Sequence, residues 1–112
     1  MVYDITKADW KLFQEKLPDW QENFMRKLNY EYIRLLTEPK RDSEKFWELE
    51  KRIKLDKRKT GVICEMRKSI MVDNIISLIN EGAITLDDLS DFSNELKEYV
   101  SFLLQPRKYE GD

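Results

Sequence analysis

An apolar stripe of unusual length dominates the first third of the chain. Eight large side chains recur at steps of three and four residues, which is the spacing of one face of an α-helix. They are Trp10, Phe13, Leu17, Trp20, Phe24, Leu28, Tyr32 and Leu35. Pro18 interrupts the stripe, but the stripe stays in phase on both sides of it. The sequence therefore predicts one long helix over residues 7–37, kinked at Pro18, or two short helices nearly in line.

Turn-forming residues are scarce, which favours long elements. The 112 residues include only three glycines and three prolines, while charged residues make up 38% of the chain and apolar residues 41%. Long elements rich in Glu, Lys, Arg and Leu are typical of helices. We therefore expect an all-α protein, a small bundle of three to five helices that forms a single domain over residues 1–105, followed by a tail over residues 106–112.

The cysteine content and the lack of a long apolar stretch indicate a cytoplasmic location. The single cysteine, Cys64, cannot form an internal disulfide. No run of about 18 apolar residues is present that could span a membrane. Residues 1–10 also have no apolar signal core.

Two apolar groups follow the first helix, and they lie on different sides of any single straight helix. The first group is Phe46, Leu49 and Ile53, and the second is Val62, Ile63, Met66 and Ile70. A break near Gly61, with Thr60 as a new cap, explains the change of side and predicts helices over residues 43–59 and 62–80. A continuous helix that changes the side it buries stays the alternative.

Residues 70–79, IMVDNIISLI, are apolar almost all round. Such a pattern is typical of a buried central helix. Asp73 and Asn74 lie inside this stretch. Because buried polar groups need partners, we expect at least one of the two to hydrogen-bond across a helix or subunit contact.

Short polar motifs mark the helix ends. Thr6 with Asp9, and Thr85 with Asp88, each have the spacing of a capping box. Gly82 suits the left-handed residue after a helix end, so the sequence predicts a tight corner between the last two helices. The last helix then carries an apolar stripe made of Leu89, Phe92, Leu96, Val100 and Leu103.

The residues that most enzyme mechanisms need are missing. The chain has no histidine, which excludes imidazole metal sites and Ser-His or Cys-His nucleophile pairs. Its isolated glycines form no phosphate-binding loop. Cys64 lies beside apolar residues and is expected to be a small core residue, with a reactive thiol next to Arg67 as the alternative. We expect a protein that is not an enzyme and holds no metal and no cofactor.

A basic segment, KRIKLDKRK, follows two aromatic residues and is the main candidate for a binding surface. Six of its nine residues are basic. The candidate contacts for a protein partner or a nucleic acid are Trp47, Lys51, Arg52, Lys54, Lys57, Arg58, Lys59, Arg67 and Lys68. The simpler interpretation is a solvated helix face with pairs such as Glu48–Arg52 and Glu50–Lys54. Nucleic-acid binding is possible but not favoured, because the apolar helix predicted after this segment offers few base-contacting side chains.

Charge is unevenly distributed along the chain. Residues 43–69 carry nine basic and five acidic side chains, whereas residues 70–105 carry one basic and seven acidic ones. The acidic candidates for a partner contact are Asp87, Asp88, Asp91, Glu95 and Glu98. The two segments are complementary and can pair within the fold or across a dimer. Since the large aromatics of the first helix exceed what one small globule easily buries, we expect a homodimer.

Three segments carry a resemblance to a known group of proteins. SEKFWELEKRIK, GVICEMRKS and EGAITLDDLSDFSNELKE are similar to small helical proteins encoded on mobile elements of Gram-positive bacteria. The resemblance covers residues 43–104 and brings no catalytic motif. Small non-enzymatic proteins of such elements, anti-CRISPR proteins among them, often bind host or rival machinery. The resemblance thus implies an inhibitor or modulator that binds a protein such as a CRISPR-type nuclease, and a small nucleic-acid-binding regulator that uses residues 51–59 is the alternative.

Overall fold

The long apolar stripe folds as one helix. In the computed structural model, which describes residues 3–105, α1 runs continuously from Lys7 to Leu36. Pro18 lies inside it and removes one backbone hydrogen bond, a cost of about 3 kcal/mol. Leu17 and Trp20 beside the proline are buried in the core and hold the helix together at this point. The prediction of a long first helix is confirmed, and the alternative of two separate helices is wrong.

The second helix folds back along the first. α2 spans Asp42–Asp56, so its start agrees with the prediction. Leu35 lies near Glu48, and Glu31 bonds to Arg52, which makes the two helices antiparallel. The second half of α1 and α2 therefore form a helical hairpin.

The chain between α2 and the next helix is not helical, although a helix was predicted to begin near residue 62. α3 spans only Met71–Asn80 and follows a 3-10 turn over Lys68–Ile70. The predicted break near Gly61 is confirmed, and the alternative of a continuous helix is wrong. Thr60 does not act as a cap. Its backbone N–H and that of Gly61 donate to the Glu81 carboxylate at 2.9 and 3.0 Å.

The turn around Gly61 is anchored from two sides. Gly61 packs so closely on α1 that a Cβ at this position would lie 2.3 Å from Cδ2 of Phe24. Gln21 on α1 also donates to the carbonyl oxygen of Thr60 at 3.2 Å. Together with Glu81 at the end of α3, these contacts tie the hairpin to the rest of the molecule.

α3 buries one side rather than all sides. Met71, Ile75 and Leu78 are fully buried, whereas Asp73 is exposed. Asn74 donates from Nδ2 to the carbonyl oxygen of Glu65 at 2.9 Å, so its partner is the extended segment before the helix. The expected contact across a helix or a subunit is therefore replaced by a local one.

The corner after α3 agrees with its sequence signals. Gly82 has φ +81°, and the Ala83 N–H donates to the Leu78 carbonyl oxygen at 2.8 Å. This is the left-handed helix end that glycine favours. Thr85 and Asp88 form the predicted capping box, but it begins only a 3-10 turn over Leu86–Leu89.

The last helix starts later than predicted. α4 spans Asn94–Leu104 and is capped by Ser93, whose Oγ accepts from the Leu96 N–H at 3.2 Å. Four members of the predicted stripe are buried, but Leu103 is 43% exposed. The expected tail over residues 106–112 lies outside the described residues.

Asp9 connects the starts of α1 and α4. Thr6 caps α1 as predicted, since its Oγ1 accepts from the Asp9 N–H at 3.1 Å. The Asp9 carboxylate does not complete a capping box. It accepts instead from the Ser93 N–H at 3.0 Å, from the Ser93 hydroxyl at 2.5 Å and from the Tyr3 hydroxyl. One buried carboxylate thus joins two helix N-termini that are far apart in the chain.

The hydrophobic core lies where the first half of α1 meets α3, α4 and the segment between them. Its buried members are Phe13, Leu17, Trp20, Met71, Val72, Ile75, Leu78, Ile84, Leu89, Phe92, Leu96 and Val100. Phe13, Trp20 and Phe24 are buried and Trp10 is half-buried, so a single chain covers the large aromatics of the α1 stripe that were expected to exceed its core. α2 contributes nothing to this core.

The molecule is extended rather than spherical. Its radius of gyration is 17.3 Å and its extents are 52 × 44 × 22 Å, whereas a compact chain of this length has a radius of gyration of about 13 Å. Over residues 3–105 the structure has four α-helices, two 3-10 turns and no strand. None of the helices in this part of the chain combines the length and apolar character needed to cross a membrane.

Candidate interaction surface on the second helix

α2 exposes the side chains that a helix usually buries. Phe46 is 63% exposed, Trp47 64% and Leu55 55%, and the only buried residue of the helix is Asp56. The sequence predicted that Phe46, Leu49 and Ile53 form a buried stripe. That prediction is wrong for Phe46 and Ile53, because α3 and α4 already cover the core half of α1 and no element within residues 3–105 packs on this side of α2.

Polar contacts attach α2 to α1. The Arg52 guanidinium bonds to Glu31 at 2.8 Å and lies 5.6 Å from the centre of the Tyr32 ring. The Tyr32 hydroxyl donates to the buried Asp56 carboxylate at 2.6 Å, and Lys59 pairs with the same carboxylate at 3.1 Å. These bonds define the position of the helix without covering its outer sides.

Burial and charge shift the titration of this cluster. Burial would raise the pKa of Asp56, but hydrogen bonds from Tyr32 and Lys59 outweigh burial and hold that pKa below its ordinary value. Burial and the hydrogen bond to Asp56 raise the pKa of Tyr32 to about 12. The carboxylate is therefore charged and the phenol neutral at neutral pH, which keeps the hairpin bonds intact.

The structure divides the predicted basic segment into occupied and free cations. Arg52 and Lys59 are used inside the hairpin, so they are not available to a partner. Lys54 pairs with Glu50 at 2.9 Å, as predicted, whereas Arg52 does not pair with Glu48.

The remaining basic candidates, in the basic segment and at Arg67 and Lys68, are exposed. Arg67 pairs locally with Glu65 at 2.9 Å. Among the eight basic candidates from the sequence, those that are exposed and form no ion pair within residues 3–105 are Lys51, Lys57, Arg58 and Lys68. Sequence alone could not separate these four from the others, since Glu31, the partner of Arg52, lies on another helix.

Trp47, Lys51 and Arg58 form what we call the outer stripe. Trp47 and Lys51 are four residues apart and share the side of α2 that faces away from α1. Arg58 lies two residues beyond the end of α2, in a turn where its N–H donates to the Leu55 carbonyl oxygen at 3.3 Å. The Trp47 ring meets the Phe46 ring edge-on, with centroids 5.0 Å apart. The stripe therefore presents one supported aromatic ring followed, toward the C-terminal end of α2, by two free positive charges.

A second side of α2 forms a shallow apolar groove, which we call the groove face. The groove has a volume of about 380 Å³ and is lined by Phe46, Leu49, Glu50, Ile53, Lys54 and Lys57. A neighbouring hollow of about 260 Å³ shares Ile53 and Lys57 with it and continues onto Met25, Leu28 and Tyr32 of α1. Sequence reasoning did not identify the groove face as a binding site, because an apolar stripe at helical spacing usually packs inside its own domain.

The acidic candidates do not form one face of one helix. Asp87, Asp88, Asp91, Glu95 and Glu98 are all exposed, but they are spread over the 3-10 turn, the following turn and α4. Two of them are engaged. Asp88 accepts from the Thr85 N–H at 2.8 Å, and Asp91 pairs with Lys16 at 3.3 Å.

The predicted pairing of the basic and acidic segments does not occur within the described chain. No ion pair joins residues 43–69 to residues 70–105 in the part that the structure describes. The connection between the two segments at Glu81 is made to backbone N–H groups. Pairing across two copies of the chain stays a prediction.

Cys64 has the environment of a structural residue. It is half-buried at the edge of the core, and burial together with the negative charges of Glu81 and Glu65 raises the pKa of its thiol. A raised pKa lowers the thiolate fraction, so this environment does not activate the sulfur. Among residues 3–105 no cluster of three or more potential His, Cys, Asp or Glu ligands could hold a metal ion.

Searches for related proteins found no matching protein-family model, no matching curated protein and no matching solved structure.

Proposed function

We propose that this chain is a non-enzymatic interaction protein that inhibits or modulates another protein by binding it through the outer stripe. The observation that carries the proposal is the exposure of Trp47, 64%, on a helix that buries only Asp56. Contiguous exposed apolar surface is typical of a partner contact, and Trp47 packs edge-on against the Phe46 ring, which is also exposed.

The chemistry of the outer stripe describes the partner. Tryptophan and arginine are the side chains most enriched among residues that dominate binding energy. Trp47 fits an apolar pocket, and Lys51 and Arg58, which both lie on its C-terminal side, fit acidic groups on one side of that pocket. We further propose that the partner is a host or rival protein, such as a CRISPR-type nuclease, which is what the resemblance suggested by the sequence of residues 43–104 would imply.

Truncating Trp47 is expected to weaken capture of the partner. Tagged full-length chain would be incubated with a Gram-positive host lysate, and the bound proteins quantified for wild type, Trp47→Ala and the control Tyr30→Ala. Tyr30 is a fair control because it is 62% exposed and lies on α1. We expect one protein to be retained by wild type and by Tyr30→Ala, with its affinity for Trp47→Ala weaker by about 2 kcal/mol, or about thirtyfold.

The same capture experiment distinguishes protein binding from the alternative function, nucleic-acid binding. Four exposed cations without an ion pair favour a nucleic-acid-binding regulator: Lys51, Lys57, Arg58 and Lys68. If nucleic acid carries the interaction, nuclease treatment of the lysate removes the captured material, and capture falls steeply with salt. Under our proposal nuclease has no effect. Equal retention by Trp47→Ala and Tyr30→Ala would contradict the outer stripe as the contact.

A further inference from the structure

The groove face is a second unpartnered surface, and it lies on a different side of α2 from the outer stripe. It combines the aromatic ring of Phe46 with Leu49 and Ile53, and it opens to solvent along the helix. We infer that the groove face binds the same face of a second copy of this chain, with the two α2 helices antiparallel about a two-fold axis near Leu49 and Glu50. Two copies in this arrangement leave both outer stripes exposed.

The exposed area of the chain is large enough for such a dimer. The accessible surface is 8272 Å², whereas a compact monomer of 13.6 kDa exposes about 6,600 Å². The excess of about 1,700 Å² is greater than the ~800 Å² per partner that a standard interface buries. Because the groove continues onto Met25, Leu28 and Tyr32 of α1, two hairpins can meet as a four-helix arrangement.

The charges of α2 select the antiparallel direction. Residues 42–49 contain three acidic and one basic side chain, whereas residues 50–59 contain six basic and two acidic ones. A parallel pair would place the two basic ends together, which like charges oppose. An antiparallel pair places the acidic end of each helix against the basic end of the other, and a two-fold axis repeats that contact twice.

The apolar residues select the register. With the axis near Leu49 and Glu50, Phe46 of one copy lies against Ile53 of the other, so the most exposed apolar residues of the groove are covered together. The same register brings Lys57 opposite Asp42 of the other copy. Both side chains are exposed, and neither forms an ion pair within residues 3–105.

Only one group at the axis opposes this arrangement. The two Glu50 carboxylates approach each other there, and like charges in contact are unfavourable. Each Glu50 is already paired with Lys54 of its own helix at 2.9 Å. The axis therefore brings together two neutralised pairs rather than two bare negative charges.

A charge-swap series at Lys57 and Asp42 tests the inference on the full-length chain. Sedimentation equilibrium at several concentrations would give the mass and the dimer dissociation constant. We expect twice the chain mass of 13.6 kDa for wild type, a dissociation constant about tenfold weaker for Lys57→Glu and for Asp42→Lys, and restored association when both changes are combined. Phe46→Ser is expected to weaken association about thirtyfold.

The controls make each outcome decisive. Tyr30→Ser should leave the dimer unchanged, because Tyr30 is 62% exposed on α1 and lines neither the groove nor the neighbouring hollow. Circular dichroism of every variant at monomer concentration checks that the exposed substitutions leave the fold intact. A wild-type chain that keeps the monomer mass at all concentrations overturns the inference. Association without rescue in the double variant overturns the antiparallel register. Neither result affects the proposed role of Trp47.

Discussion

Replacing Asp9 by alanine is expected to lower the free energy of unfolding by about 3 kcal/mol. The Asp9 side chain is 3% exposed and accepts hydrogen bonds from both donors of Ser93 and from the Tyr3 hydroxyl. Alanine removes all three bonds and leaves the Ser93 N–H without its acceptor at the start of α4. Urea unfolding followed by circular dichroism measures the loss, since urea midpoints report stability directly.

The matched control for this prediction lies in the same helix. Asp19 is exposed and forms no ion pair within residues 3–105, so Asp19→Ala is expected to change stability by less than about 0.5 kcal/mol. If the two alanine variants unfolded at the same urea concentration, the Asp9 contact would have no structural role.

The contribution of Asp9 also depends on pH in a defined direction. Burial would raise its pKa, but hydrogen bonds from Ser93 and Tyr3 outweigh burial and hold the pKa below the ordinary value of 3.8. A carboxyl group whose pKa is lower in the folded state than in the unfolded state stabilises the protein at pH values above its unfolded-state pKa. This stabilisation is lost as the pH falls through the folded-state pKa. The difference between wild type and Asp9→Ala should therefore be full at pH 6 and decrease below about pH 4.

Gly61→Ala is expected to destabilise the protein by about 3 kcal/mol, although it adds a single methyl group. The added Cβ would lie 2.3 Å from Cδ2 and 2.8 Å from Cε2 of Phe24, a buried ring on α1. The backbone cannot move away easily, because Thr60 and Gly61 donate their N–H groups to Glu81. Thermal and urea unfolding both measure the effect.

A double-mutant cycle identifies the cause of that loss. Phe24→Leu removes the ring that the new methyl group meets, at its own cost in apolar contacts. In this background Gly61→Ala is expected to lower the free energy of unfolding by less than about 1 kcal/mol. The effect of the double variant would then be clearly smaller than the sum of the two single effects. Additive effects of the two substitutions would show that the close approach of Gly61 to Phe24 is not the constraint.

The parts of the fold that sequence predicted are those that local periodicity determines. The stripe from Trp10 to Leu35 defined α1, and Gly82 marked the corner after α3. Helical periodicity predicts which residues share a face of a helix, but it does not predict whether another element packs against that face. The stripe of Phe46 and Ile53 has the same spacing as a buried one, yet both residues are exposed because the core is completed by α3 and α4.

Tertiary partners explain the remaining differences. Asp9 has the spacing of a capping box, but its carboxylate binds Ser93, which is 84 residues away in the chain. The apolar residues after Gly61 resemble a helix face, but Glu81 holds the backbone N–H groups of Thr60 and Gly61 in a turn. In the candidate site, Trp47 could be selected from sequence. The ion pair of Arg52 with Glu31, which makes Arg52 unavailable to a partner, could not be predicted from sequence, because only the folded hairpin brings the two residues together.

Site-specific photo-crosslinking tests the central claim, that the outer side of α2 binds another protein. A benzoylphenylalanine would replace Trp47, 64% exposed on α2, and in a separate protein Tyr30, 62% exposed on α1. After irradiation in host lysate, mass spectrometry identifies the adducts. We predict a covalent adduct with a different protein from position 47 and none from position 30. No adduct from position 47, or the same adducts from both positions, would contradict the assignment of the outer stripe as the interaction surface.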